Sequence, residues 1–149
     1  MYQNILVAVD GSPTSDNALV EGIKLTEQQG SSLHLVHVVD FARAYLKSDT
    51  VSQLDDYERA LRRAGEEVLD RALATVRSAG LDAKVKLIQI GTINQHASDE
   101  VVAEAKRLPA DLIVIGTHGR RGFRHLLLGS VAEGVIRQAA QPVLLIRTP

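Results

Sequence analysis

Five short strand-like runs, separated by helical segments, constrain the fold of this chain most strongly. The first is Asn4-Ile5-Leu6-Val7-Ala8-Val9, which is apolar almost throughout. Such a run is typical of a strand covered on both faces of a parallel sheet. Further strands are predicted over 32–39, 83–90, 112–115 and 143–146. The alternation of charged and apolar residues over 83–90 predicts that this strand lies at a sheet edge.

The segments between these strands carry helical signals. Ser12 and Pro13 predict an N-cap and a first helical position, and Gly30 ends that helix. Further helices are predicted over 56–79, which Gly80 ends, over 98–108 and over 131–140. The inward stripe predicted for the second helix is Leu61, Ala64, Val68, Ala72, Val76 and Ala79. The stretch 41–55 has no clear period and is predicted to be a surface connection, in part helical.

The order βαβαβαβαβ predicts an α/β fold, with one open parallel sheet of five strands, helices on both faces and right-handed crossovers. The 149 residues fit a single domain, 1–149. A net charge of −1 gives no global attraction to nucleic acid or to an anionic membrane. Cysteine is absent, which excludes disulfides and thiolate chemistry. With no basic leader and no membrane-length apolar run, we expect a soluble cytoplasmic protein.

The stretch 116–130 carries the strongest functional signal. It reads Gly-Thr-His-Gly-Arg-Arg-Gly-Phe-Arg-His-Leu-Leu-Leu-Gly-Ser and joins a buried strand to a helix. This layout presents backbone N–H groups to a phosphate, and glycines let a ligand approach the chain. Arg120, Arg121 and Arg124 lie in the loop, and no acid occurs between Asp111 and Glu133. We therefore predict an anionic, phosphate-bearing ligand at this loop.

Several of these residues also have purely structural interpretations. Ser130 and Glu133 have the spacing of a capping box, with Ser130 as the N-cap of the last helix. Asp10 ends the first strand, where it is predicted either to bond a ribose hydroxyl or a nucleotide-borne metal, or to cap the first helix with Ser12. Val38, at the end of the second strand, either offers its backbone to a base or is plain core. The residues alone leave these alternatives open.

Motifs along nearly the whole chain support a family resemblance. They are Ile-Leu-Val-Ala-Val-Asp-Gly-Ser at 5–12, His-Val at 37–38, Ala-Asp-Leu-Ile-Val-Ile-Gly-Thr-His-Gly-Arg at 110–120, Leu-Leu-Gly-Ser-Val-Ala at 127–132 and Gln-Pro-Val-Leu-Leu-Ile at 141–146. Together they resemble the universal stress protein family. The spacing Gly-x2-Gly-x9-Gly-Ser, met by Gly116, Gly119, Gly129 and Ser130, marks the ATP-binding subset of that family.

The resemblance implies a Rossmann-like sheet in strand order 3-2-1-4-5, which places the first and fourth strands side by side. It implies ATP as the ligand, with any Mg²⁺ carried by the nucleotide near Asp10 and no metal site from the protein alone. The implied nucleotide-binding residues are Ala8, Asp10, Val38, Gly116, Gly119, Arg120, Gly129, Ser130 and Val131. It also implies a homodimer through the last strand: Val143, Leu144, Leu145 and Ile146. The chain departs from the family at Gly91-Thr92-Ile93, where Gly-x-Pro is common.

Other chemistries fit the sequence poorly. It contains neither a Walker lysine motif nor a Gly-x-Ser-x-Gly elbow. His34 and His37 are predicted on opposite faces of a strand, which excludes a shared metal, and nothing near His118 or His125 suggests a triad. We therefore expect an ATP-binding regulatory protein without an assigned catalytic residue. The alternatives are a structural or signalling dimer that does not use nucleotide, and a slow ATPase or a protein autophosphorylated at Ser130 or a nearby hydroxyl.

Overall fold

The computed structural model describes residues 1–118 and 128–148, which contain all five predicted strands. In chain order the elements are β1 (Asn4–Ala8), α1 (Pro13–Gln29), β2 (Ser32–Asp40), α2 (Ala42–Lys47), α3 (Val51–Ser78), β3 (Lys84–Ile90), α4 (Ala97–Arg107), β4 (Leu112–Gly116), α5 (Ser130–Gln138) and β5 (Val143–Ile146). The strands pair in parallel, in the order β3-β2-β1-β4-β5. This confirms the predicted fold class, the strand order and the edge position of β3.

The hydrophobic core has two layers because successive side chains of a strand point to opposite faces of the sheet. Ile5 and Val7 pack on one face with the apolar sides of α1 and α3. Leu6 packs on the other face with α4 and α5. Full burial of each large aliphatic side chain contributes about 1.5–3 kcal/mol. The near-continuous apolar sequence of β1 therefore follows from its position in the middle of the sheet.

The ends of α1 confirm the local prediction. The Ser12 Oγ accepts from the Ser15 backbone N–H at 3.2 Å, and Pro13 is the first helical residue. Gly30 ends the helix in the left-handed region, with φ of +69°.

No helix in the described part of the chain is long and apolar enough to cross a membrane.

The predicted capping box at the start of α5 is wrong. The N-cap is Gly129, and the exposed Ser130 is the first helical residue, with no side-chain cap. The Gly129 N–H donates to the Thr117 carbonyl at 2.6 Å, and the Gly129 carbonyl accepts from the Glu133 N–H. The Glu133 carboxylate pairs with Arg137 instead of reaching back to the cap. The bond to Thr117, the residue that follows β4, therefore fixes the helix start one residue earlier than the local pattern indicates.

Helix α3 begins at Val51, five residues before the predicted start, because the Thr50 hydroxyl caps it by accepting from the Gln53 N–H. The predicted inward stripe is partly wrong. Ala64 and Ala79 are exposed, and Leu61 is half-buried. The buried face consists of Gly65, Val68, Leu69, Ala72 and Val76. The missing side chain of Gly65 brings this face close to the sheet.

Candidate functional site

A notch opens at the carboxyl edge of the sheet because β1 is shorter than its neighbour β2. Ala8, the last residue of β1, pairs with Val36, whereas β2 continues to Asp40. Beyond Ala8 the chain leaves the sheet and turns into α1 through Gly11, which has φ of +80°. The strand order reverses between β1 and β4. In open α/β sheets this reversal is the usual place for a ligand.

A cavity of about 620 Å³ occupies this notch. The ends of β1, β2 and β4, the N-terminal parts of α4 and α5, and the middle of α3 form its walls. Its volume lies in the range of roughly 300–1,000 Å³ that small-molecule sites have. A second depression on the chain is lined by residues of α3 alone, Asp70 to Ser78, and is a groove on the helix surface. The notch is therefore the candidate site.

Asp10 lies at the wall of this cavity and also shapes the turn into α1. Its Oδ1 accepts from the Ser12 N–H at 2.8 Å, and its own N–H donates to the Ser15 Oγ at 2.9 Å. Asp10 therefore orders the turn before α1, whereas the helix cap itself is Ser12. The same carboxylate lines the cavity, and a role toward a ribose or a nucleotide-borne metal stays a prediction.

The start of α5 faces the cavity from the β4 side. Leu128 to Ala132 line it, including the predicted Gly129, Ser130 and Val131. The first N–H groups of a helix have no intrahelical acceptor, and the helix dipole makes this end positive. The geometry therefore suits an anionic group. Among the described lining residues the carboxylates are Asp10 and Asp40, and the positive field predicted from the loop arginines stays a prediction.

Gly116 has a packing role that the sequence did not indicate. A Cβ at Gly116 would lie 2.9 Å from the Thr14 Cγ2 and 3.0 Å from the Thr14 backbone carbon. The glycine therefore lets α1 pack closely on the end of β4. Gly116 also lines the cavity, so that one residue serves both the packing and the predicted site.

Two histidines that were not predicted as site residues line the cavity as well. The His37 Nδ1 lies 2.7 Å from the Val9 carbonyl oxygen, and the His118 Nδ1 lies 2.9 Å from the Thr117 Oγ1. His34 faces the α4 side of the sheet, whereas His37 lies against α3, which confirms that the two histidines are on opposite faces. The described residues contain no group of three or more His, Cys, Asp or Glu side chains that could hold a metal.

The structure brings most of the predicted site residues together in the one cavity. They are Ala8, Asp10, Val38, Gly116, Gly129, Ser130 and Val131. Gly119 and Arg120 lie outside the described residues, as do Arg121, Arg124 and His125. The contributions of α3, from Leu61, Ala64 and Gly65, were missed. The sequence signal for these α3 residues was Gly65, which lies beside the apolar stripe of the predicted helix 56–79.

Fold and cleft define the class of protein: a doubly wound α/β protein with a ligand-sized cavity where the strand order reverses. A sequence model of the universal stress protein family matches residues 1–147. Universal stress protein A homolog 2 of Coxiella burnetii is 32% identical over 147 residues, which cover 98% of this chain and 95% of that protein. The chain therefore belongs to the universal stress protein family.

Solved structures of nucleotide complexes are among the similar folds. The universal stress protein of Archaeoglobus fulgidus in complex with dAMP has a TM-score of 0.68 and 26% identity, and the match covers 97% of this chain and 98% of that one. A universal stress protein in complex with cAMP has a TM-score of 0.71 and 25% identity, and the match covers 99% of each chain. Adenine nucleotides are therefore bound by related members of the family.

Proposed function

We propose that this protein is a nucleotide-binding regulatory protein that holds ATP in the notch beyond β1. The carrying observation is that seven residues predicted from the sequence line one cavity beside the N-terminus of α5. The dAMP and cAMP complexes of related proteins support an adenine nucleotide as the ligand class. We also propose a cytoplasmic location, on the sequence argument alone.

In the proposed arrangement, the base, the ribose and the phosphates of the nucleotide contact three different walls of the cavity. The base lies against the backbone of Val38 at the end of β2. The ribose lies near Asp10, and any Mg²⁺ arrives with the nucleotide and neutralises phosphate charge there. The phosphates face the backbone N–H groups that open α5, from Ser130 onward, because these amides and the helix dipole favour anions. Gly119 and Arg120 complete the proposed phosphate site.

Filling the cavity provides a direct test. Ala8 is half-buried and lines the cavity, so Ala8→Leu places a larger side chain in the proposed site. We expect the Kd for ATP to rise at least about tenfold, which corresponds to about 1.4 kcal/mol. Isothermal titration calorimetry with ATP measures it. Ala103→Leu, on an exposed position of α4, is the matched control and should bind like the wild type.

Two results would contradict this proposal. Folded wild-type protein that gives no binding isotherm with ATP, ADP or AMP would exclude the nucleotide as ligand. An Ala8→Leu variant that melts cooperatively and keeps the wild-type Kd would place the nucleotide elsewhere on the molecule.

We further propose that two copies assemble through β5. The Ile113 N–H donates to the Pro142 carbonyl, and the Thr117 N–H donates to the Ile146 carbonyl. Because alternate residues of a strand face the same neighbour, Val143 and Leu145 direct their backbone groups away from β4. No described strand pairs with β5 on this side. An open edge with an apolar sequence favours pairing with a second copy.

A further inference from the structure

The hydrogen-bond ladder between β1 and β2 ends before β2 itself ends. Ala8 pairs with Val36, and the Val9 N–H donates to the Val36 carbonyl at 2.9 Å. In a parallel ladder the next rung would join the Val38 N–H to the Val9 carbonyl. That bond is not among the backbone hydrogen bonds of the described residues. The backbone groups of Val38 therefore point into the notch where β1 would have continued.

A side chain occupies the position of the missing rung. The His37 Nδ1 lies 2.7 Å from the Val9 carbonyl oxygen, in a buried contact. A carbonyl oxygen only accepts hydrogen bonds, so Nδ1 carries the proton and donates it. The bond satisfies the carbonyl of Val9, one residue beyond β1, without help from the Val38 amide. It ties the end of β1 to an imidazole on the α3 side of the sheet.

Helix α3 holds this imidazole in place. His37 is only 6% exposed, and a Cβ added at Gly65 would lie 3.2 Å from the His37 Cδ2. The ring is therefore confined between β2 and the glycine on α3. Both His37 and Val38 line the cavity. The donor that satisfies Val9 is thus built into the wall of the proposed site.

We propose that His37 is a positioning residue that selects the base of the bound nucleotide. By satisfying the Val9 carbonyl, it leaves the Val38 N–H open to the ligand, next to the C=O of the same residue. One donor and one acceptor on the same residue match the N1 acceptor and the 6-amino donor of adenine. Guanine presents a donor at N1 and an acceptor at O6, which leaves both Val38 groups mispaired at considerable cost. This inference rests on the proposed nucleotide function.

Two substitutions at His37 separate this role from a general packing role. His37→Asn retains an N–H donor near the position of Nδ1, whereas His37→Leu removes it. In His37→Leu the Val9 carbonyl lacks its donor, and we expect it to capture the Val38 N–H. The ratio of Kd for GTP to Kd for ATP should then fall at least about tenfold relative to the wild type. In His37→Asn the ratio should stay within about threefold of the wild-type value.

Calorimetric titrations of both nucleotides on all three proteins measure these ratios. Two results would overturn the inference while ATP binding itself persists. One is a ratio in folded His37→Leu that equals the wild-type ratio, and the other is a ratio that falls as far in His37→Asn as in His37→Leu. Wild-type protein that binds neither nucleotide would instead refute the proposed function. The two failures are therefore distinguishable.

Amide hydrogen exchange tests the open rung without any ligand or variant. In the ligand-free wild type, the Val38 amide should exchange on the order of a hundredfold faster than the Val36 amide, which lies in the ladder. Two-dimensional ¹⁵N–¹H NMR during exchange into D₂O resolves both amides. Equal protection of the two amides would mean that the Val38 N–H is already engaged, and the inference would fail.

Discussion

At the residue scale, two buried polar side chains on the α4 face of the sheet, His34 and Glu104, differ in whether they have hydrogen-bond partners in the described part of the chain. Glu104 is only 4% exposed and accepts from the Lys86 Nζ at 2.8 Å and the Arg107 Nε at 2.9 Å. The hydrogen bond from Arg107, above all, lowers the Glu104 pKa from 4.5 to about 2, against the opposing effect of burial. Its carboxylate therefore stays charged inside the fold at neutral pH.

His34 is the contrasting case. It is 4% exposed, and neither ring nitrogen has a hydrogen-bond partner in the described part of the chain. Burial lowers the His34 pKa below 6.5, and the charges of Lys84 and Arg107 lower it further, while Glu104 opposes them. The folded state binds a proton at His34 less readily than the unfolded state does. The contribution of neutral His34 to the free energy of unfolding is therefore fully present above pH 6.5, and it is lost as the pH falls through the lowered pKa.

We predict that His34→Leu weakens the pH dependence of stability. At pH 7.5 the free energy of unfolding should change by at most about 1.5 kcal/mol, because a buried side chain is replaced by an apolar one of similar size. Between pH 7.5 and 5.5 the variant should lose less stability than the wild type. Urea denaturation at both pH values measures this difference. The exposed His96, changed to Leu, is the control, and identical slopes for all three proteins would refute the prediction.

At the scale of elements, the packing of α3 on the sheet depends on one missing side chain. A Cβ at Gly65 would lie 2.6 Å from the Val39 Cγ2 and 2.8 Å from the Leu87 Cδ1. Real Cβ atoms do not approach other atoms so closely, so the side chains of Val39 and Leu87, or the helix itself, would have to shift. Gly65 lines the cavity, and the helix therefore reaches the site only because this position lacks a side chain.

Gly65→Ala should consequently destabilise the protein by about 1–3 kcal/mol through overpacking, although alanine favours the helix more than glycine does. Chemical denaturation of both forms gives the difference. Gly91→Ala is the matched control, because a Cβ at Gly91 would meet no atom within 4 Å. Gly65→Ala of wild-type or greater stability would mean that α3 lifts from the sheet at little cost.

At the scale of the whole molecule, the two edges of the sheet differ. β3 carries Lys84 and Lys86, both exposed, and charged edge residues oppose pairing with another sheet. β5 has only apolar residues, each half-buried, and its outer edge carries the backbone groups of Val143 and Leu145. The open edge of β5 is therefore the better surface for a second copy.

Leu145→Pro should convert the proposed dimer to a monomer, because proline removes an N–H that points away from β4 without breaking a rung to β4. Leu145→Val, whose side chain has as many carbons as that of proline but which keeps the backbone N–H, is the control and should remain dimeric. Sedimentation velocity at several concentrations measures the assembly state. Monomeric wild-type protein, or a Leu145→Pro dimer, would argue against pairing through β5.

Locally encoded features were predictable from the sequence. The five strands, the Ser12 cap and the Gly30 end of α1 were predicted because apolar runs and capping residues act through their immediate neighbours. The start of α3 was missed because the stretch 41–55 lacks a helical period, although Thr50 caps the helix there. Ser130 was mistaken for a cap because the bond from the Gly129 N–H to Thr117 is not local.

The sequence by itself determined the alternation of strands and helices and the family. It also predicted seven of the residues that line the notch, because strand ends and glycine spacing can be recognised along the chain. Only the tertiary structure decided that β1 stops short of β2, that His37 takes the place of a ladder rung and that Gly65 brings α3 to the site. The physical reason is that these features are contacts between residues distant in sequence. Their geometry follows from packing all the elements together and not from any one segment.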